Sequence, residues 1–289
     1  MLMPIRRSAL FGVLVALLLA GSPLDAAHAQ RTGQHRDEYE GVGIDRKHGD
    51  TVPHDLTFTD HTGQEVTLGQ YFDGERPVLL NLVYHDCPML CGLLLNGVTK
   101  TIGNLEWTPG DEYTVLTVSF NPRESFEQAA AQRERYLDQL GRPNAADGWH
   151  FLTGDAENID ALTSAVGFNL RWIASKQEFA HPTTYVFLSG DGMVSQYIHG
   201  MQMPRSDTRQ ALVEASDGQV GSPVDLVMLY CFQFDPDANT YTADAFNLMK
   251  AASVLTVLTL GGMLYVFWRR ENEHVDDQLE GRFSIPSET

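Results

Sequence analysis

Cys87 and Cys91 are the residues best suited to chemistry in this chain. They stand in the stretch Leu82-Val-Tyr-His-Asp-Cys87-Pro-Met-Leu-Cys91-Gly92. Val78 to Tyr84 is a near-continuous apolar run suited to a buried central strand. Residues 91–105 read as the helix that follows. A helix start offers free N–H groups and partial positive charge, which stabilise a thiolate and lower a cysteine pKa. The C-x3-C spacing puts both thiols on one face if the segment is helical. They can close a disulfide or converge on one ion. Two thiolates with one added ligand suit a soft, low-coordinate metal such as Cu(I), and an imidazole as third ligand admits Cu(II). Zinc asks for a fourth ligand that is not evident. A static disulfide is the plain alternative, although a loop of three intervening residues gains little entropy from closure.

Other side chains near this chemistry have simpler readings. His85 either tunes the thiolates or serves as an alternative ligand, with a solvated loop position the simpler reading. Asp86 raises the Cys87 pKa if the two lie close. Met89 packs or shields a metal. His199, with Met201 and Met203, offers an accessory soft-metal site, against the simpler reading of a hairpin end. Cys231, in Leu-Tyr-Cys-Phe, reads as a buried inert thiol, with a third redox partner as the second reading.

The surrounding elements must position these residues. Leu56–Thr59 and Glu65–Leu68 flank Asp60-His-Thr-Gly63 as a small hairpin. Tyr113–Phe120 is a second buried-type strand. Glu124–Leu140 reads as a helix ending at Gly141, and His150–Leu152 as a short strand. Asp155 caps a helix running to about Val166. Phe168–Ile173 is expected to form one strand. Thr184–Leu188 and Met193–Ile198 flank Ser-Gly-Asp-Gly, a hairpin signal. Ser206–Ala215 is a last helix. Strands alternating with helices, closed by a hairpin and a helix, predict an α/β layer fold with a mixed sheet.

Both ends point to a membrane. Arg6 and Arg7, the apolar run Ser8–Ala20 and Ala27-His-Ala29 form a secretory signal over residues 1–29, with an uncleaved anchor as the alternative. Residues 30–51 read as a mobile lead-in, 52–218 as the folded domain and 219–246 as a linker. Ala251–Trp268 carries no charge. With the apolar residues just before it, the segment 247–268 is long enough to span a bilayer. Tyr265 and Trp268 suit an interfacial belt, and Arg269-Arg270 places residues 269–289 in the cytoplasm. The expected protein is therefore single-pass, with its domain on the periplasmic side. The net charge of −18 argues against non-specific nucleic-acid binding. Three cysteines exclude a disulfide-dense scaffold and a four-cysteine zinc site.

The strand leading into Cys87-Pro-Met-Leu-Cys91, followed by His181, the strand Thr184–Leu188 and the turn Gly190-Asp-Gly192, resembles the Sco/SenC family over about residues 41–216. The resemblance implies a thioredoxin-like mixed sheet flanked by helices, here with a C-terminal transmembrane helix. It implies copper, as Cu(I) or Cu(II), held by Cys87, Cys91 and His181. His181 alone, a histidine before proline, would read as a surface residue. It further implies assembly of the binuclear copper centre of cytochrome c oxidase. The expected partners are the copper-receiving oxidase subunit and an upstream copper donor or thiol reductant. The chain departs from the family pattern at Gly92, Asp86 and Ala180, where many members have proline, histidine and aspartate, and in the C-terminal position of its anchor. A second function is thiol–disulfide exchange on a periplasmic partner, with Cys87 and Cys91 as the redox pair and no need for His181. Peroxidase chemistry is the weaker reading, because Pro-x-x-x-Thr/Ser-x-x-Cys is absent before Cys87.

Overall fold

The structure is a computed structural model that describes residues 39–85, 90–217 and 221–283. The chain divides into two units, one of Met1–Val42 with Leu170–Ala180, the other of Gly43–Asn169 with His181–Thr289. The signal segment lies outside the described residues.

In chain order the elements are β1 (Gly43–Ile44), β2 (Thr57–Asp60), β3 (Glu65–Thr67), β4 (Val78–Val83), α1 (Leu90–Asn104), β5 (Thr114–Ser119), α2 (Phe126–Leu140), β6 (Trp149–Thr153), α3 (Ala156–Ala165) and β7 (Phe168–Asn169). There follow β8 (Arg171–Ile173) and β9 (Glu178–Ala180) in the smaller unit, then β10 (Thr184–Leu188), β11 (Val194–His199), α4 (Arg205–Ala215), α5 (Pro223–Cys231), β12 (Phe232–Asp235), β13 (Thr240–Ala243) and α6 (Ala245–Phe283). Seven strands form one sheet in the order β11-β10-β4-β5-β6-β2-β3. β4, β5 and β6 run parallel, and the outer strands pair antiparallel. Every residue of β4, β5 and β10 is buried, as a strand covered on both faces requires. The result is the thioredoxin-like mixed sheet flanked by helices.

Local chemistry sets the helix ends. Ser125 and Gln128 form a capping box at the start of α2, and Gly141 closes that helix in the left-handed region at φ 65°. Asp155 accepts a hydrogen bond from the Asn158 amide at 2.8 Å, so α3 starts where the sequence places it.

Three expectations change. Phe168–Ile173 is two strands, because its halves have different partners: β7 pairs with β1, whereas β8 pairs with β9. The lead-in is tied down from Gly43 onward. The Asp45 amide donates to the Gly167 carbonyl at 2.8 Å and the Gly49 amide to the Val194 carbonyl at 2.9 Å, pairings that its polar composition conceals. The stretch expected as linker carries α5 and the β12–β13 hairpin, the latter fixed by the Asn239 side chain, which exchanges two 2.7 Å hydrogen bonds with the His199 backbone.

Within α6, residues Phe246–Arg269 form a 24-residue stretch long and apolar enough to cross a membrane, with a mean hydropathy of 1.7 over its 18-residue window and none of that window buried. The helix continues beyond Trp268 to Phe283.

Candidate metal centre

Cys87 lies outside the described residues, as do Asp86 and Met89. Cys91 is the second residue of α1, in the first turn, with its side chain outside the description. β4 delivers the chain to this junction through Tyr84 and His85.

The sheet register brings the distant histidine to the C-terminal end of β4. β10 runs antiparallel to β4 with Tyr185 opposite Asn81. The chain just before β10 must therefore run alongside the C-terminal end of β4. There the His181 ring meets Tyr84 edge-on at 6.0 Å between centroids, packs 5.0 Å from Phe120 and stacks 6.3 Å from Phe168. His181 Nδ1 lies 3.0 Å from the Pro182 carbonyl oxygen. A carbonyl only accepts, so this bond puts a proton on Nδ1, and in the neutral ring Nε2 is then the nitrogen with a lone pair. A backbone carbonyl thus helps to orient the ring. A half-buried imidazole held in this tautomer fits the donor set of a copper site.

His85 is not solvated. Its side chain is 1% exposed, stacks at 6.2 Å on Phe151 and places Nε2 4.0 Å from Glu124 Oε2. Glu124, also buried, accepts a 2.6 Å hydrogen bond from Ser119 Oγ. Burial is affordable for both because each has the other nearby. In the sequence, Glu124 reads only as a helix start. The one available signal was a carboxylate following the buried run of β5.

The structure does not assemble the accessory methionine site. Met203 is in the core, Met201 is exposed, and His199 Nδ1 lies 2.9 Å from Thr184 Oγ1. Cys231 ends α5, and its side chain is not described. A further cluster, unmarked by any motif in the sequence, surrounds His150. His150 packs 4.8 Å from Tyr71 and 6.5 Å from His61. Burial, then the charges of His61 and Arg133, push the His150 pKa down to about 4. Burial and Arg133 lower His61 as well. Among the described residues, no three His, Cys, Asp or Glu side chains converge as a metal site.

Comparisons with known proteins bear on this geometry. The family model described as SCO1/SenC matches residues 45–215. A candidate electron-transfer protein of Aquifex aeolicus VF5 is 27% identical, with a TM-score of 0.51 over 58% of this chain and 93% of its own. BsSco, described with a disulfide switch and as a member of the Sco family of cytochrome c oxidase assembly proteins, is 19% identical, with a TM-score of 0.47 over 60% of this chain and 97% of its own. Copper-bound ScoI of Bradyrhizobium japonicum is 18% identical, with a TM-score of 0.40 over 56% of this chain and 96% of its own. No curated protein matches.

Proposed function

The chain belongs to the SCO1/SenC family, and from that premise we propose that it is a membrane-tethered copper-binding assembly factor for the binuclear copper centre of cytochrome c oxidase. Cys87, Cys91 and His181 are the copper ligands in this reading. The observation that carries it is the seating of His181: the β10–β4 register brings its ring against Tyr84, three residues before Cys87, with Nδ1 engaged by a carbonyl. Two soft thiolates and one imidazole accept either copper oxidation state. Copper is cargo here, passed to the oxidase subunit by exchange of ligands. The apolar stretch of α6 anchors the protein, with the domain on the periplasmic side and Arg269 at the cytoplasmic end.

The test is the oxidase itself. In cells lacking this protein, the binuclear copper signal of the oxidase falls severalfold. Wild type restores it, and Cys87→Ser and His181→Ala do not. Full restoration by both variants overturns the proposal.

Thiol–disulfide exchange is a second reading, favoured by the place of Cys91 in the first turn of α1. One thiolate attacks the partner's disulfide and the other displaces the reduced partner. This leaves Cys87–Cys91 oxidised, to be reset by an external thiol reductant. Under this reading His181→Ala restores the oxidase and Cys87→Ser does not.

A further inference from the structure

α5 turns an apolar surface to solvent. Val224 is 68% exposed, Val227 62% and Tyr230 51%, with Leu226 and Met228 exposed beside them. A soluble domain seldom leaves so continuous an apolar stretch without a partner. The helix is also fixed in this pose. Its one charged residue, Asp225, is buried. Both Asp225 carboxylate oxygens accept hydrogen bonds from Arg209 on α4, at 2.7 and 2.8 Å, and Oδ2 accepts two more from Ser222. The Arg209 guanidinium in turn stacks 4.1 Å over Trp107. The clamp removes the only carboxylate of α5 from its outer surface.

The neighbour of this surface is the membrane helix. The Asn247 side-chain amide donates to the Tyr230 carbonyl at 2.9 Å, joining the last turn of α5 to the first turn of α6. In the same first turns of α6, the Lys250 ammonium lies 4.2 Å over the Phe246 ring. A lysine one turn into a span reaches the headgroup level along its own stem. Tyr230 and Lys250 are thus residues of the interface, and the apolar stretch of α5 is continuous with the start of the span.

We infer that α5 lies in the headgroup region of the bilayer that α6 crosses, with Val224, Val227 and Tyr230 among the acyl-chain ends. It is a second membrane contact of the interfacial-helix kind. The inference rests on the reading of α6 as the anchor. The chain's net charge of −18 makes zwitterionic lipid the fitting surface.

The experiment uses the full chain, with Cys87, Cys91 and Cys231 replaced by serine, reconstituted into phosphatidylcholine nanodiscs. A fluorophore is attached to a single introduced cysteine: Val227→Cys on α5, Val257→Cys within α6, or Thr62→Cys in the β2–β3 turn. Each is read against lipids that carry a quencher near the headgroup or near the bilayer centre. The Val227 label is expected to lose at least half its emission to the shallow quencher and little to the deep one. The Val257 label responds to the deep quencher, and the Thr62 label to neither. A Val257 label that is quenched beside a Val227 label that is not overturns the inference and leaves the anchor standing. Loss of quenching at both overturns the anchor together with the inference. A Val227 label shielded from aqueous quencher but untouched by lipid quencher marks a protein partner on α5, and overturns it too.

Discussion

At the scale of single residues, the pair of Glu124 and His85 shows how the site region is supported. A buried carboxylate is tolerated only where nearby groups replace its lost water. Ser119 Oγ donates to Glu124 at 2.6 Å, and the His85 ring lies 4.0 Å away. Glu124→Ala leaves both without that partner. It is expected to lower stability by about 2 kcal/mol, read as a shift in the denaturant midpoint. An unchanged midpoint would show that the pair carries no such weight. Cys87 and Cys91 stand out in the sequence because their type and spacing are local. His181 is a candidate only through the family resemblance, since its place beside Tyr84 depends on a strand pairing that no neighbouring residue announces. His85 was misread for the same reason: its burial is decided by Glu124 and Phe151, both distant in sequence.

At the scale of elements, α1 lies close against β10 and the segment that follows β11. Gly97 permits this. A Cβ there would stand 2.3 Å from the Met201 carbonyl oxygen and 3.0 Å from Tyr185 Oη. Alanine is the better helix former by about 1 kcal/mol. The clash opposes that gain, and overpacking costs about 1–3 kcal/mol. Gly97→Ala is therefore expected to lower the thermal midpoint. A rise would mean that α1 has room to move outward. Most elements could be read from capping residues and apolar runs, as at Asp155 and β5. The division of Phe168–Ile173 could not, because the β1 strand that claims its first half sits in a polar, glycine-bearing segment.

At the scale of the whole molecule, stability responds to pH. His150 stays neutral in the fold down to pH about 4, whereas an unfolded histidine takes its proton near pH 6.5. Between these values the unfolded chain binds more protons, so stability falls as pH drops from about 6.5 to about 4. His61, lowered for the same reason, adds to the loss. Allowing for solvent at the ring, His150 accounts for about 1–2 kcal/mol. His150→Gln is expected to shrink the difference in denaturant midpoint between pH 7 and pH 5. An unchanged difference would contradict this assignment. Asp225, whose pKa is lowered chiefly by its hydrogen bonds to Arg209, loses its contribution only at more acid pH, so the two effects separate. The central claim concerns copper, and direct binding tests it. The reduced full chain is titrated with Cu(I) and Cu(II) beside Cys87→Ser, Cys91→Ser and His181→Ala. The account predicts one copper per wild-type chain. It predicts affinity weakened at least about tenfold in each variant, with Cu(II) lost when His181 is removed. A wild-type chain that binds no copper, or a His181→Ala chain that binds both ions as wild type does, would contradict it.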